Sequence, residues 1–530
     1  MTASTAGAPP TASPAPMTHR QVIESLSGIL LGMFVSVLAT SVVSSSLPKI
    51  VSDLDGSQHS YTWVVTATLL TTTITTPIWG KLADLMDRKL LIQIALIISV
   101  LSSAAAGFAH NVGFLIGARA VQGIGAGGLT ALATILMSDI LSPRERGKYM
   151  GLMGGIMGIG MVGGPLLGGV ITDSMGWRYN FFVGLPFAVA AIIVLQITLK
   201  LPAMARKVVR IDYWGALLIS AGIACLLLWV TFAGSSFEWL SWQTWTMTGG
   251  AVVLLALAVW VESKAADPII PLDLFKNRTL VLSVVASVAV GVAMFGTSVF
   301  LSQYMQVARG KTPTQSGLLT IPMILGVFLS STLSGRRITK TGHYKNFMIA
   351  GAAVLTVGLV LMGTIHYDTS FVLVSLYMFV LGCGVGMLMQ NLVLAVQNTL
   401  AVDEIGSGTA TVAFFRTLGG AIGVSALGAV LSSRITTLMM DGLAKLGIDP
   451  AALGGGGSTS VPDVSTIQEP IKTVVESSYG DAIAELFMVA APLGLVALIA
   501  VIFLKEVPLG NRSGLEQRAA VVEDMETVEA

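Results

Sequence analysis

The chain has 530 residues, 54% hydrophobic and 11% charged, with a mean hydropathy of +0.80. Soluble globular proteins carry about 25% charged residues, so this composition excludes a water-soluble domain and points to a chain immersed in lipid. A formal net charge of +1 gives no bulk attraction to nucleic acid. Two cysteines, Cys225 and Cys383, stand far apart in apolar runs, so no disulfide framework is expected and the redox compartment stays open.

Residues 1–20 are rich in Pro, Ala, Ser and Thr and read as a disordered cytoplasmic tail. They lack the basic start and short apolar core of a secretory signal. A membrane-crossing helix needs about 20 mostly apolar residues. Uncharged runs long enough, or nearly so, fall at 25–48, 60–80, 90–118, 120–138, 149–172, 179–199 and 213–237. They continue at 239–261, 279–308, 312–335, 346–367, 369–402, 405–433 and 486–504, which makes fourteen. An even number places both ends of the chain on one side. With that side cytoplasmic, the inner segments hold 21 basic residues and the outer segments seven, with Arg119 and Arg416 embedded. The positive-inside rule then fixes the orientation.

The first run ends LATSVVSSSLP (38–48), with hydroxyls at Ser41, Ser44, Ser45 and Ser46 and no carboxylate between Glu24 and Lys49. Such hydroxyls either face a wet cavity or bond back to their own helix. The second and third runs are joined by GKLADLMDRK (80–89), and the tenth and eleventh by GRRITKTGHYK (335–345). Both joins open on a glycine and cross a short basic turn: Gly335 corresponds to Gly80, Gly342 to Asp87, and Thr339 stands where Asp84 does. Repeated halves are common in transporters. The expected domains are therefore a six-helix bundle at 21–200, two inserted helices at 211–263, and a second six-helix bundle at 278–504. An external loop at 434–481 interrupts the second bundle, and 505–530 form a cytoplasmic tail. A short apolar piece of that loop, ITTLMMDGLAKLG, reads either as a linker or as an interfacial helix.

Three motifs then carry a resemblance. GKLADLMDRK resembles the signature G-x-L-x-D-x-x-G-R-K of the major facilitator superfamily, through Gly80, Leu82, Asp84, Arg88 and Lys89, with Asp87 in place of the usual glycine. ARAVQGIGAGG (118–128) resembles its helix-4 signature through Arg119, Gln122, Gly123 and Gly125. GIGMVGGPLLGG (158–169) resembles its helix-5 signature, associated with antiporters, through Gly160, Gly164, Pro165, Gly168 and Gly169. With fourteen spans and a central inserted pair, the chain is similar to the fourteen-helix drug:proton antiporter family. The resemblance implies an all-α polytopic membrane protein with the major facilitator fold. It also implies proton-coupled export of hydrophobic or amphiphilic compounds from a bacterial plasma membrane. A transporter of a lipid, a lipid-linked or a secondary metabolite, or a facilitator without proton coupling, is the alternative.

The residues suggest specific work. Asp84 pairs with Arg88 across the turn, Asp139 is placed to join them, and the positive start of the helix at Gly406-Ser407-Gly408 attracts Asp84. This set forms a gate between the halves or merely fixes topology. The 154–169 stretch holds eight glycines in sixteen residues, suited to a bending, sliding helix or to plain close packing. A charge at the bilayer centre costs about 2.5–3.5 kcal/mol on insertion scales, so Arg119, with Gln122 three residues on, and Arg416 each face a cavity or tie down carbonyl groups. In the family an acid stands where this chain has Ala39. Proton coupling is therefore assigned to Arg119, Gln122 and Asp53. The substrate cavity is assigned to Ser41, Ser44, Met387, Met389, Gln390, Asn391 and Arg416. Small amphiphiles, protons and the bilayer are the expected partners of a monomer, with no nucleic acid, no metal and no cofactor beyond the proton gradient. No P-loop pattern occurs, which argues against ATP-driven pumping. The five histidines are scattered, which argues against a membrane-embedded enzyme.

Overall fold

The computed structural model describes residues 19–54, 58–199, 212–233, 237–265, 268–311, 313–401, 404–448, 468–510 and 516. The first half holds α1 (His19–Asp53), α2 (Gln58–Leu85), α3 (Arg88–Gly107), α4 (Val112–Ile140), α5 (Pro143–Ser174) and α6 (Gly184–Thr198). Next come α7 (Tyr213–Phe232) and α8 (Trp242–Glu262). The second half runs through α9 (Arg278–Gln303), the short α10 (Pro313–Leu319) continued by α11 (Ile321–Thr341), α12 (Lys345–Met362), α13 (Phe371–Gln397), α14 (Ile405–Lys445) and α15 (Ile471–Phe503). With α10 and α11 taken as one span, the count among the described residues is fourteen.

Twelve of the described spans are long and apolar enough to cross a membrane. The other two are α2, whose apolar run is broken by Thr71, Thr72, Thr73, Thr75 and Thr76, and the glycine-rich α5. In lipid every backbone group must bond internally, so the helix starts matter. Asp87 caps α3 by accepting from Lys89 N, and Asn111 caps α4 by accepting from Phe114 N. Ser142 and Glu145 form a reciprocal capping box at α5, with Pro143 in its first turn. Asp87 thus departs from the family glycine because it starts the next helix. Its counterpart Gly342 instead ends α11 with φ +74, a left-handed conformation that suits glycine.

The two halves pack in the same pattern. α1 lies against α5 and α6, α2 and α3 against α4, and α3 against α6. In the same way α9 lies against α14 and α15, α11 and α12 against α13, and α12 against α15. This equivalence is the internal repeat that the paired turns at 80–89 and 335–345 foreshadow. Between the halves the main contacts are α2 on α14 and α5 on α11, a symmetry-related pair. The inserted helices α7 and α8 pack on each other, and α7 touches α2 and α14 at that seam.

The ends of the second half differ from the sequence expectation. The run of 405–433 stops at Arg434 and that of 486–504 begins after Glu485, since each charge reads as the end of a span. In the structure α14 continues to Lys445 and α15 starts at Ile471. Arg434 donates to both oxygens of Glu485, at 2.5 and 2.6 Å, so the two charges neutralise each other between adjacent helices. The loop 434–481 is therefore shortened at both ends. ITTLMMDGLAKLG, through Lys445, is part of α14 rather than a linker or a separate interfacial helix.

Candidate functional site

Glycine decides where the halves meet. A side chain at Gly80 of α2 would collide with the Cβ of Ala410 in α14, and would lie 3.1 Å from the carbonyl oxygen of Gly406. With that close approach, α2 delivers Asp84 onto the first turn of α14. One carboxylate oxygen accepts from Gly406 N at 3.0 Å, and the other from Ser407 N and Oγ, each at 2.8 Å. The first amides of a helix have no partner within it and carry partial positive charge. A carboxylate there is held by two charge-assisted backbone bonds and one hydroxyl.

Arg88 binds the other side of this carboxylate through Nη2, at 3.3 Å from Asp84 Oδ1. Its Nε donates to Ala83 O at 2.7 Å, and its Nη1 pairs with Asp139 at the end of α4. Arg88 and Asp139 are almost fully buried, at 1% and 2% side-chain exposure. Removing one member of such a pair leaves an uncompensated buried charge, so the group stands or falls together. Of the turn residues named from sequence, Lys89 is not brought in. It donates to Gln196 O of α6, within its own half.

A second contact between halves was not foreseen. Arg146, in the first turns of α5, donates to Ser138 O and Leu141 O at the end of α4, and to Gln397 Oε1 of α13 at 2.5 Å. Gln397 Nε2 in turn donates to Thr409 Oγ1 of α14 at 2.9 Å. Nearby, Arg144 donates to the carbonyl oxygens of Thr339 and Lys340 at the end of α11, at 2.9 and 3.1 Å. In the sequence Arg144 and Arg146 stand in a basic cluster at 144–148 that counts among the 21 inner basic residues. Its partners lie 195 to 251 residues away. The face carrying these groups, hereafter the basic face, is closed.

Along the seam, α5 uses its glycines to approach both neighbours. A Cβ at Gly160 would meet Val37 of α1 at 2.8 Å, and one at Gly155 would meet Phe328 of α11 at 2.7 Å. At Gly164 it would collide with Ser41. Ser41 Oγ donates to Gly160 O at 2.7 Å and also lies near its own helix carbonyls, while Ser46 Oγ donates to Gly168 O at 3.2 Å. The hydroxyls of α1 thus bond across to α5. Gly169 is partly exposed on the same helix. Pro165 lies within α5 and Ser44 within α1, their side chains outside the described residues.

The buried cations occupy different settings. Arg119 of α4, 5% exposed, donates through Nη1 to Gln122 Oε1 at 2.6 Å, and Gln122 is 2% exposed. Arg119 Nε and Gln122 Nε2 have no partner among the described residues. Arg416 of α14, 8% exposed, donates to Met389 O of α13 at 3.2 Å. Asn391 donates to Met387 O in its own helix, and Gln390, the residue before it, is buried. Asp53, exposed at the end of α1, accepts from Trp177 Nε1 at 3.1 Å. This contact lies at the opposite end of the bundle from the basic-face cluster. Two small crevices lie inside single halves; Ala39, Ser99 and Ser103 line the first, and Thr297, Phe300 and Leu427 the second.

With this geometry in place, the comparisons with known proteins agree in one direction. Residues 29–424 match the family model described as Major Facilitator Superfamily. The chain is 32% identical over 515 residues to the multidrug transporter protein MdtP of Bacillus subtilis, covering 93% of this chain and 95% of that one. It is 31% identical over 493 residues to the efflux pump dotC of Dothistroma septosporum, covering 92% and 84%. An uncharacterized MFS-type transporter of Mycobacterium tuberculosis is 33% identical over 491 residues, 91% of this chain and 69% of that one. The fold is similar to the crystal structure of the human organic anion transporter MFSD10, with a TM-score of 0.58 at 14% identity, covering 89% of this chain and 99% of that one. The chain belongs to the major facilitator superfamily and is a multi-pass membrane transporter rather than an enzyme.

Proposed function

We propose that this transporter exports hydrophobic and amphiphilic compounds by alternating access, as a proton antiporter with its basic face and both ends of the chain in the cytoplasm. The observation that carries the reading is the carboxylate of Asp84 seated on the first turn of α14. A single side chain there joins the two halves through bonds that rupture together when the halves part. Gly80, Asp84, Arg88 and Asp139 act as the latch, with Lys89 securing the turn to α6. Gly160, Gly164, Pro165, Gly168 and Gly169 give α5 the smooth surface on which the halves slide. The relatives named as a multidrug transporter and an efflux pump support export as the direction.

Coupling rests on Arg119 and Gln122 at the buried centre of the first half, with Asp53 the acid at the opposite face. Met387, Met389, Gln390, Asn391 and Arg416 form the polar and adaptable lining on the second half, joined by Ser41 and Ser44 of α1. Thioether side chains adapt to varied ligands. The protein is read as a monomer.

The test is transport in proteoliposomes under an imposed pH gradient with a panel of amphiphiles. Proton-coupled export gives uptake into inverted vesicles that collapses with a protonophore. Movement of the compounds that ignores the gradient supports a facilitator instead. Asp53→Asn with unchanged pH dependence removes Asp53 from the coupling set.

A further inference from the structure

Arg119 and Gln122 hold more hydrogen-bonding capacity than their surroundings satisfy. A guanidinium stays charged and offers five donors in a rigid fork. Only one of Arg119's is engaged with a side-chain acceptor in the described bonds, at Gln122 Oε1. Arg119 Nε–H and the Gln122 Nε2 amide are enclosed without acceptors among the described residues. Both side chains are more than nine-tenths buried. Native proteins rarely leave buried donors empty, and an exception calls for a functional or ligand-based explanation.

No carboxylate among the described residues supplies the missing acceptor. Among the described ion pairs none involves Arg119 or Arg416, while Asp84 and Asp139 are both engaged by Arg88 at the basic face. Among the described residues Arg416, on α14, reaches only the carbonyl oxygen of Met389. Helices α4 and α14, which carry the two arginines, pack against each other across the halves. The interior thus holds two guanidinium groups without a fixed counter-charge among the described residues. That field favours an incoming negative or strongly accepting group and opposes a permanent cation.

We propose that the open donors of Arg119 and Gln122 receive the anionic head of an amphiphilic substrate, so that the transporter selects carboxylate-bearing apolar compounds over quaternary ammonium compounds. This inference rests on the exporter reading above and narrows its substrate class.

The test uses the full chain in vesicles of zwitterionic lipid and three probes that share one apolar body. The heads are a carboxylate, a neutral amide and a trimethylammonium group. The wild-type protein is expected to move the carboxylate at least about tenfold faster than the quaternary probe, the scale of one charge-assisted bond. In Gln122→Glu, a new carboxylate stands where an acceptor already binds Arg119 and supplies the missing charge from within. The carboxylate-to-quaternary ratio is then expected to fall by roughly a hundredfold, whatever happens to overall turnover, from the loss on one side and the gain on the other. Gln122→Met, which removes the amide without adding charge, is expected to lower the ratio several-fold and serves if the first variant fails to fold.

A wild-type ratio near one, or a ratio unmoved by either variant, overturns the inference while leaving export intact. Direct binding of the carboxylate probe to purified protein separates the two readings. Binding that weakens in Gln122→Glu while no probe is transported sinks the exporter reading and keeps the anion site. Vesicles containing phosphatidylglycerol supply the remaining control. If anionic lipid abolishes the preference by competition, the donors hold a lipid head group and the substrate assignment falls.

Discussion

At the end of α2 a carboxylate, Asp84, accepts from the amides that start α14; at the equivalent end of α11, main-chain carbonyl oxygens accept from Arg144 in the first turn of α5. The two joints are related by the internal repeat, since α2 matches α11 and α5 matches α14. Yet the chemistry is reversed. In the first joint the negative partner is a side chain and the positive partner is a helix start. In the second, Thr339 has replaced the acid, the exposed carbonyl end of α11 supplies the negative charge, and an arginine supplies the positive. The first joint is buried, ion-paired and titratable. The second is exposed, and such contacts contribute little, about 0–1 kcal/mol. Under the proposed latch, the duplicated architecture places its releasable bond in the first joint.

Four substitutions sharpen or break this asymmetry, all read through thiol labelling of a cysteine at position 410 in a background lacking Cys225 and Cys383. Asp84→Ala is expected to have the largest effect. It strips the caps from α14 and leaves Arg88 with Asp139 alone, a change that costs about 3–5 kcal/mol for a buried pair. The basic face should label freely and transport should fall by more than tenfold. Gly80→Leu comes next: the side chain occupies the place of Ala410 Cβ, and overpacking of this kind costs about 1–3 kcal/mol. Labelling at 410 should rise with Asp84 unchanged. For Gln397→Ala the charged hydrogen bond from Arg146 is lost, worth about 1.5–3 kcal/mol, and part of the labelling increase should appear. Arg144→Ala should change transport by less than about threefold. Should Arg144→Ala open the face as far as Asp84→Ala does, the two joints are equivalent and the asymmetry is wrong.

Much of this was legible in the chain. Uncharged runs gave the fourteen spans because lipid allows few other solutions for a backbone. Asp84, Arg88 and Asp139 could be linked, and Gly406-Ser407-Gly408 nominated as their target, because charge at a helix start follows simple electrostatics. Arg146 and Gln397 were not legible: they lie 251 residues apart, and an arginine beside a helix start looks like any topology determinant. Arg434 and Glu485 misled for a related reason. Each charge appeared to end a span, whereas packed as a pair they let both helices continue. The α1 hydroxyls were seen, but their partners were not, since the acceptors are carbonyls of a glycine-rich helix more than a hundred residues on. Asp87 was visible as a departure from the family pattern, and only the start of α3 explains it.

One side chain, Asp84, joins the two halves. Spin labels at Leu85→Cys and Glu404→Cys flank the joint, and pulsed electron resonance reads the distance between them in reconstituted protein. A short distance that dominates in the wild type and gives way to a longer one in Asp84→Ala is the expected result. A distance distribution that Asp84→Ala leaves unchanged would show that the carboxylate does not hold the halves together.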